Sequence, residues 1–177
     1  MELWDLYDIH RQPTGEKLVR GNQVPEGRYR LVVHVCLFNS AGQMLIQHRQ
    51  PTKAAWPDLW DVSVGGAVVS GESSIIAAHR EALEEIGVDI DFTDAAPSFS
   101  VTFPDGFDDF YILQRDVDIS QLKLQEEEVQ AVKWASLQEI FHMVDEGTFI
   151  PYHKSFLEFL FFRSCHPGIR TKGSTNA

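Results

Sequence analysis

The chain has little cysteine, no long apolar run and no excess of basic residues, and each shortage excludes a class of protein. Its two cysteines, Cys36 and Cys165, are too far apart in sequence for a metal-binding pair or a disulfide framework, which is typical of a reducing compartment. No apolar stretch approaches the ~20 residues that span a membrane, and the N-terminus lacks the pattern of a signal peptide. We therefore expect a cytoplasmic protein that does not bind membranes.

Acidic residues predominate: 26 Asp and Glu stand against 15 Lys and Arg, which gives a formal net charge of −11. A protein that binds a nucleic-acid polymer or an anionic membrane needs a basic face, so this balance argues against both partners. The acidic net charge does not exclude a small phosphorylated substrate, because such a substrate can be held through a metal ion. The length of 177 residues and the hydrophobic share of 44% are enough for one domain with a real core.

Extended and helical patterns are interspersed along the chain. Two short extended runs, 2–10 and 16–20, flank a turn and predict a hairpin. The apolar run 31–38 predicts a strand buried on both faces, which pairs as a hairpin with 43–48. Apolar residues at helical spacing over 72–86, followed by a glycine, predict the clearest helix. Further strands are expected at 61–64, 98–103, 110–116 and 129–134, helices at 136–146 and 153–162, and loops at 49–60 and 104–109.

These elements predict an α/β fold in which a mixed sheet lies between helices. We divide the chain into a hairpin extension at 1–27, one domain at 28–164 and a flexible polar tail at 165–177. An isolated hairpin is marginally stable, so the extension is expected to pack on the domain or on a second subunit. A homodimer is therefore an open alternative.

Three carboxylates on one helix face are the strongest sign of chemistry. Glu81, Glu84 and Glu85 are three and four positions apart, which places them side by side on the predicted helix. Their mutual repulsion is explained by a hard divalent cation, which takes oxygen ligands and often shares them with phosphates. Gly65 and Gly66 upstream allow the backbone to approach a ligand closely.

From position 66 to position 88 the sequence reads GAVVSGESSIIAAHREALEEIGV. It resembles the Nudix box, G-x5-E-x7-R-E-U-x-E-E-x-G-U, where U is a bulky aliphatic residue. Every invariant letter matches, which by chance happens on the order of once in a million chains of this length, and Ala82 is the one departure. The resemblance implies a Nudix fold, Mg²⁺ as cofactor with Mn²⁺ as an alternative, and hydrolysis of a diphosphate linkage in a small nucleoside- or other organic-diphosphate substrate.

The resemblance also assigns roles to individual residues. The expected metal ligands are Glu81, Glu84, Glu85, Glu128 and a carbonyl of Gly65 or Gly66. The expected catalytic residues are Glu84, Glu85, Glu128 and Arg80, with Glu128 as a further ligand or the base and with Arg80 and Glu72 ordering the box. Glu128 is matched through its offset from the late strand segment EEEVQAVKW, although a run of three glutamates is more often a solvated surface.

The segment HRQPTKAAWPDLW, residues 48–60, is similar to the branch that includes isopentenyl diphosphate isomerase. It implies that Arg49 and Lys53 hold a diphosphate. Independently of the resemblance, Trp60 is a candidate substrate contact that could stack on a base or line an apolar wall, although packing of the loop on the domain is the commoner role of such a residue. The isomerase motif carries a catalytic cysteine before the box glycine and a metal-binding histidine after it. This chain has Gly65 and Ala67 there, and it keeps the full carboxylate triplet. These departures favour hydrolysis, with an isomerase-like enzyme and a non-catalytic ligand-binding module as alternatives.

The remaining polar residues are weaker candidates. Asp105, Asp108 and Asp109 lie in the predicted loop 104–109, where turn residues are more common than metal ligands or bases. His34 lies within an apolar strand and is expected to be a hydrogen-bonded core residue. The group linked to the diphosphate is read by loops outside the box, so the sequence does not identify it.

Overall fold

We describe a computed structural model of the chain, which covers residues 2–92, 95–166 and 168. Over these residues the chain forms nine strands and three α-helices. The strands are β1 (Leu3–Tyr7), β2 (Pro13–Val19), β3 (Arg30–Phe38), β4 (Met44–Arg49), β5 (Trp60–Asp61), β6 (Val64–Ala67), β7 (Phe99–Phe103), β8 (Gly106–Gln114) and β9 (Val129–Ala135). The helices are α1 (Ser74–Ile86), α2 (Leu137–Asp145) and α3 (Lys154–Cys165).

Strand β3 is the centre of a mixed sheet. It pairs in parallel with β8, from Arg30 opposite Gly106 to Phe38 opposite Gln114, and antiparallel with β6. β7 extends the sheet beyond β8, while β4 joins β5 and β9 at the other side. The apolar run of β3 is long enough to supply both faces of this sheet, which is why it reads as continuous rather than alternating.

Alternate residues of β3 enter two different cores. Val33 and Val35 pack with the buried face of α1, whereas Cys36 and Phe38 pack with α2 and α3 on the opposite side. The sheet therefore lies between helices, as predicted. Burial of this apolar surface from both sides is the main stabilising contribution to such a layered fold.

Helix α1 is delimited by its caps. The side chain of Ser73 accepts a hydrogen bond from the backbone N–H of Ile76, so the helix begins two residues after its predicted start. Gly87 ends it in the left-handed conformation with φ of 68°. Ala82, the one departure from the box pattern, is fully buried, so its small side chain lets α1 lie close to the sheet.

The N-terminal hairpin of β1 and β2 packs on its own domain. Leu6 is only 2% exposed, and Tyr7 pairs with Tyr29 through two backbone hydrogen bonds of 2.8 and 2.9 Å. Arg11 at the hairpin tip donates two hydrogen bonds of 2.8 Å to the buried carboxylate of Asp109. The hairpin therefore packs on the domain of its own chain, which is one of the two expected arrangements. The homodimer stays a prediction.

Several predicted boundaries were wrong. The turn expected between 2–10 and 16–20 lies earlier in the chain, since β1 ends at Tyr7 and β2 begins at Pro13. The loop expected at 104–109 is mostly strand, because β8 begins at Gly106. The space at this position suits glycine, since a Cβ there would lie 2.3 Å from Cζ of Phe103. The residues Pro, Asp and Gly of the expected loop are turn formers, but pairing with β3 outweighs that local preference. The strand expected at 61–64 is divided between β5 and β6.

The C-terminal helix ends later than predicted, since α3 continues through Cys165. The rest of the predicted tail, apart from residues 166 and 168, lies outside the described residues. Among the helices that the structure describes, none is both long and apolar enough to cross a membrane.

Candidate active site

Two cavities meet along β6. The smaller, of about 250 Å³, is lined by the carboxylates of Glu81, Glu84, Glu85 and Glu128 together with Lys53 and Arg80. The larger, of about 910 Å³, lies on the other side of the glycine pair. Both are lined by Gly65, Gly66, Ala67 and Arg20. The fold therefore brings the four predicted carboxylates and the two glycines into one place, although Glu128 is far from the box in sequence.

Glu85 is the most deeply buried of the four carboxylates, at 4% exposure. One of its oxygens accepts hydrogen bonds from the Gln47 side-chain amide at 3.0 Å and from the backbone N–H of Gly65 at 3.3 Å. Burial, together with the negative charge of Glu81, raises the pKa of Glu85 to about 8. These two hydrogen bonds and the charge of Lys53 lower this pKa without offsetting the lost hydration.

Arg80 organises the other box carboxylates. It makes two hydrogen bonds to Glu72, of 2.8 and 2.9 Å, and donates to Glu81 at 2.8 Å and to Glu84 at 3.1 Å. A further bond of 3.1 Å reaches the carbonyl of Ala67 on β6. With so many acceptors the guanidinium holds the box together, so the geometry favours a positioning role for Arg80 over direct catalysis.

Glycine at position 66 is required by the Glu81 carboxylate. A Cβ at Gly66 would lie 2.0 Å from Cδ of Glu81, so any side chain would displace that carboxylate. Burial raises the pKa of Glu81, and the charge of Arg80 opposes this effect. Glu81 therefore lies directly against the backbone whose carbonyls the sequence assigned to the metal.

Lys53 extends from the loop after β4 and contacts the carboxylate of Glu128. Burial and the positive charge of Arg49 lower the pKa of Lys53. Through its contact with Glu128, the ammonium group places positive charge on that side of the cavity, as Arg80 does beside Glu81. The two cations balance carboxylates that would otherwise repel one another.

The residues present fit a hard divalent cation. Within the described residues, no three Asp, Glu, His or Cys side chains are already arranged closely enough to form a metal centre. Glu81 and Glu84 contact Arg80, and Glu128 contacts Lys53. The donors that line the small cavity are nevertheless carboxylate and backbone oxygens, which Mg²⁺ and Mn²⁺ prefer. The buried Glu85 and the Gly66 cradle both point to a positive charge at this place.

The three predicted substrate contacts have separate positions. Lys53 lines the small cavity, whereas Arg49 lines the large one, where it donates to Asp61 at 3.4 Å and to the loop carbonyl of Ala55 at 3.0 Å. Within the part of the chain that the structure describes, Trp60 lines neither cavity. Its ring stacks on His48 with centroids 4.8 Å apart, so the structure gives no support to its prediction as a substrate contact.

Several residues of the large cavity were missed by the sequence analysis. Trp4 and Arg20 come from the hairpin extension, and Arg30 comes from the start of β3. His34 and Asp108, predicted to be core and turn residues, face the cavity and form a contact of 3.2 Å between Nε2 and Oδ1. These residues come from distant segments, so no local motif in the sequence marks them. Only for His34 and Asp108 is there a signal, namely the parallel pairing of β3 with β8, which brings the two residues together.

A mixed sheet between helices, with a carboxylate-bearing helix over a glycine pair, defines the Nudix fold. Residues 28–159 match the NUDIX domain, and the chain therefore belongs to the Nudix family. It is 44% identical over 152 residues to an uncharacterized Nudix hydrolase of Listeria monocytogenes, which covers 86% of this chain and 90% of that protein. An isopentenyl-diphosphate Delta-isomerase of Escherichia coli is 31% identical over 150 residues, or 79% of this chain and 80% of that protein.

Among solved structures, DR0079 from Deinococcus radiodurans is similar, with a TM-score of 0.72 and 28% identity over 90% of this chain and 97% of that chain. This similarity extends beyond residues 28–159 at least in part, since it spans more of the chain than the domain match does. The predicted fold class is thus confirmed, including the sheet between helices.

Proposed function

We propose that this protein hydrolyses a diphosphate linkage in a small organic substrate with the help of a divalent metal ion, Mg²⁺ or Mn²⁺. The observation that supports the proposal best is the small cavity, in which all four predicted carboxylates converge beside the glycine pair. Nudix hydrolases use divalent metals, and the oxygen-only donor set fits that chemistry.

In this proposal Glu81, Glu84, Glu85 and Glu128 hold the metal, with a carbonyl of Gly65 or Gly66. A metal ion held by these groups would polarise the phosphorus and lower the pKa of the attacking water. All four carboxylates line the cavity, and we assign the role of the base that accepts a proton from that water to Glu128 or Glu85. Arg80 keeps the box carboxylates in place throughout.

The substrate diphosphate is proposed to lie where the two cavities meet. Arg20 lines both cavities, and within the described residues its guanidinium has a single side-chain partner, Glu2 at 2.8 Å. Its other donors are available to phosphate oxygens, which arginine binds well. Lys53 also lines the small cavity and is the second cation proposed to bind the diphosphate. The organic group then extends into the large cavity.

The isomerase alternative finds no acid or base at the required place. Gly65 and Ala67 stand where the isomerase pattern has cysteine and histidine. Cys36 is fully buried in the core beneath α2 and α3, and burial raises the pKa of its thiol, so it does not take over that role. Similarity to the isomerase therefore supports the fold and the diphosphate-binding loop rather than the reaction.

The test is a product screen with purified protein and Mg²⁺. The panel contains nucleoside diphosphates and triphosphates, ADP-ribose, dinucleoside polyphosphates and isopentenyl diphosphate, and it monitors phosphate or nucleotide release. We expect at least one compound to be turned over by the wild type and by Glu127→Gln, an exposed neighbour of the site, but not by Glu85→Gln or Glu128→Gln. Full activity in both site variants would exclude the proposed metal ligands, and double-bond migration without phosphate release would favour an isomerase.

A further inference from the structure

Two cations of the protein contact the proposed metal ligands, and they differ in how firmly they are held. Arg80 makes two hydrogen bonds to Glu72 and one to the carbonyl of Ala67, in addition to its contacts with the box carboxylates. Its guanidinium is therefore fixed from several sides. Lys53 is different, because within the described residues its ammonium group makes an ion pair with one carboxylate only, that of Glu128.

The contact between Lys53 and Glu128 engages a buried oxygen of that carboxylate. Oε2 of Glu128 contacts Nζ of Lys53 and accepts no other hydrogen bond among the described residues. An ammonium group and a metal ion repel each other, so they exclude each other at one oxygen. Through this oxygen, Glu128 therefore binds either Lys53 or a metal ion.

Separating this pair is costly unless both of its members find new partners. The side chain of Lys53 is only 18% exposed, and that of Glu128 is 28% exposed. A charge at a partly buried position that loses its partner is left uncompensated, which is strongly unfavourable. A metal ion alone would leave Lys53 unpaired, and a diphosphate alone would leave Glu128 unpaired. The two ligands together give each member of the pair a new partner of opposite charge.

The backbone beside Lys53 is anchored next to Glu128. The N–H of Gln50 donates a hydrogen bond of 3.0 Å to the carbonyl of Glu128, and the N–H of Lys53 donates one of 3.2 Å to the carbonyl of Gln50. The side-chain amide of Gln50 also donates to the carbonyl of Glu126 at 2.6 Å. The lysine side chain is a flexible four-carbon stem, so its rotation is enough to exchange one partner for another without movement of the loop.

We propose that the Lys53–Glu128 pair couples metal binding to diphosphate binding. The pair persists with either ligand alone and separates when both bind, because Lys53 then contacts the phosphate and Glu128 becomes a metal ligand. Lys53 is thus a positioning residue for the metal site, and the complete ligand set is assembled only around a substrate. The proposal rests on the proposed function, which takes Glu128 as a ligand and Lys53 as a diphosphate contact.

A double-mutant cycle between Lys53 and Glu128 tests the proposal by binding rather than turnover. The four proteins are the wild type, Lys53→Met, Glu128→Gln and the double variant. The probes are Mn²⁺ alone, followed by electron paramagnetic resonance, and imidodiphosphate in EDTA, followed by isothermal titration calorimetry. The calorimetric titration is then repeated in saturating Mg²⁺. The P–N–P linkage of imidodiphosphate replaces the bond that would be hydrolysed.

Matched controls come from the same part of the chain. Glu127→Gln removes an exposed carboxylate next to Glu128. Lys133→Met removes an ammonium group that lies over the ring of Trp60 and that lines neither cavity in the described structure. Both variants should bind every probe as the wild type does. Thermal unfolding verifies that each protein folds, and Lys53→Gln takes the place of Lys53→Met should the latter not fold.

With Mn²⁺ alone, Glu128→Gln should bind nearly as tightly as the wild type, because Lys53 holds that carboxylate in the wild type. Lys53→Met should bind Mn²⁺ roughly tenfold more tightly, a coupling typical of interacting sites. This gain should be absent from the double variant, which has no carboxylate to release. A gain that persists in the double variant would mean that Lys53 acts only through its charge at a distance, and it would overturn the proposal.

Imidodiphosphate in EDTA should give the converse pattern. Glu128→Gln should bind it more tightly than the wild type, because Lys53 is released, and the double variant should lose this gain. In Mg²⁺ the affinity of the wild type should rise by roughly tenfold more than that of either single variant, since only the wild type has a pair to separate. Equal rises in all four proteins would contradict the proposed coupling.

Two further results would overturn the proposal. One is a Lys53→Met variant that binds Mn²⁺ no more tightly than the wild type, and the other is the absence of imidodiphosphate binding from all four proteins. Failure of the proposed function has a different signature, namely no turnover of any compound in the product screen while the cycle remains non-additive. Turnover together with strictly additive binding effects would refute the coupling alone.

Discussion

Replacing Glu85 by Gln is expected to stabilise the metal-free protein while abolishing its activity. Glu85 is buried and its pKa is raised to about 8 from an ordinary value of 4.5. Between these two values the unfolded state has lost the proton that the folded state still holds, so the free energy of unfolding falls as the pH rises. Below pH 4.5 the carboxyl is protonated in both states and imposes no penalty.

The size of the effect follows from the shift in pKa. A shift of about 3.5 units, at about 1.4 kcal/mol per unit, corresponds to at most about 4–5 kcal/mol above pH 8. Glutamine has the same shape, does not ionise, and still accepts hydrogen bonds from Gln47 and Gly65 through its carbonyl oxygen. Glu85→Gln should therefore match the wild type at pH 4 and exceed its free energy of unfolding increasingly up to pH 8.

Urea unfolding, followed by tryptophan fluorescence from pH 4 to pH 9 in EDTA, measures this difference. Glu127→Gln is the control for an exposed carboxylate, and its difference from the wild type should be small and independent of pH. A wild type that is as stable as Glu85→Gln at pH 9, or a difference that does not vary with pH, would refute the reasoning. Adding Mg²⁺ at pH 8 should stabilise the wild type more than Glu85→Gln, because the variant has lost one of the proposed ligands.

Three further substitutions test the geometry. Gly66→Ala should abolish hydrolysis while the fold persists, because its Cβ would displace the Glu81 carboxylate; steady-state assays with circular dichroism measure both. Arg11→Met should lower the free energy of unfolding by about 2–3 kcal/mol in urea titrations, because it leaves the buried Asp109 without two charge-assisted hydrogen bonds. Arg20→Met should raise KM about tenfold with little change in kcat, because it removes one phosphate contact without touching the carboxylates.

Different outcomes would contradict each of these expectations. Normal turnover by Gly66→Ala would mean that Glu81 is not a ligand in its present position. Arg28→Met is the control for both arginine variants, since its pair with Glu16 is on the surface. If Arg11→Met were no less stable than this control, the pair of Arg11 with Asp109 would contribute nothing to holding the hairpin. An unchanged KM for Arg20→Met would place the diphosphate elsewhere.

The box and its helix could be predicted from sequence because their determinants are local. The capping glycine, the apolar spacing and the three carboxylates all lie within one short segment, and the buried run of β3 is equally direct. Asp108 and Asp109 show where local reasoning failed. Their neighbours favour a turn, and only the parallel pairing with β3 extends them into a strand.

The residues that line the large cavity could not be predicted from the sequence for the same reason. Trp4, Arg30 and Phe103 are far apart in sequence and meet only when the hairpin packs on the sheet. Trp60 was predicted as a substrate contact because an aromatic residue in a ligand-binding loop is a reasonable candidate, yet it packs against His48. Packing between two such side chains leaves no pattern of fixed spacing in the sequence.

The two neighbouring aspartates of β8 point to opposite sides of the sheet, and this has a consequence for how the protein can diverge. Asp108 faces the large cavity beside His34, while Asp109 anchors Arg11 of the hairpin that carries Trp4. The proposed metal ligands of the box lie in one contiguous segment, whereas residues of the large cavity come from β8 and from a distant hairpin. New substrates are therefore expected to arise through paired changes in these two places, with the box left intact.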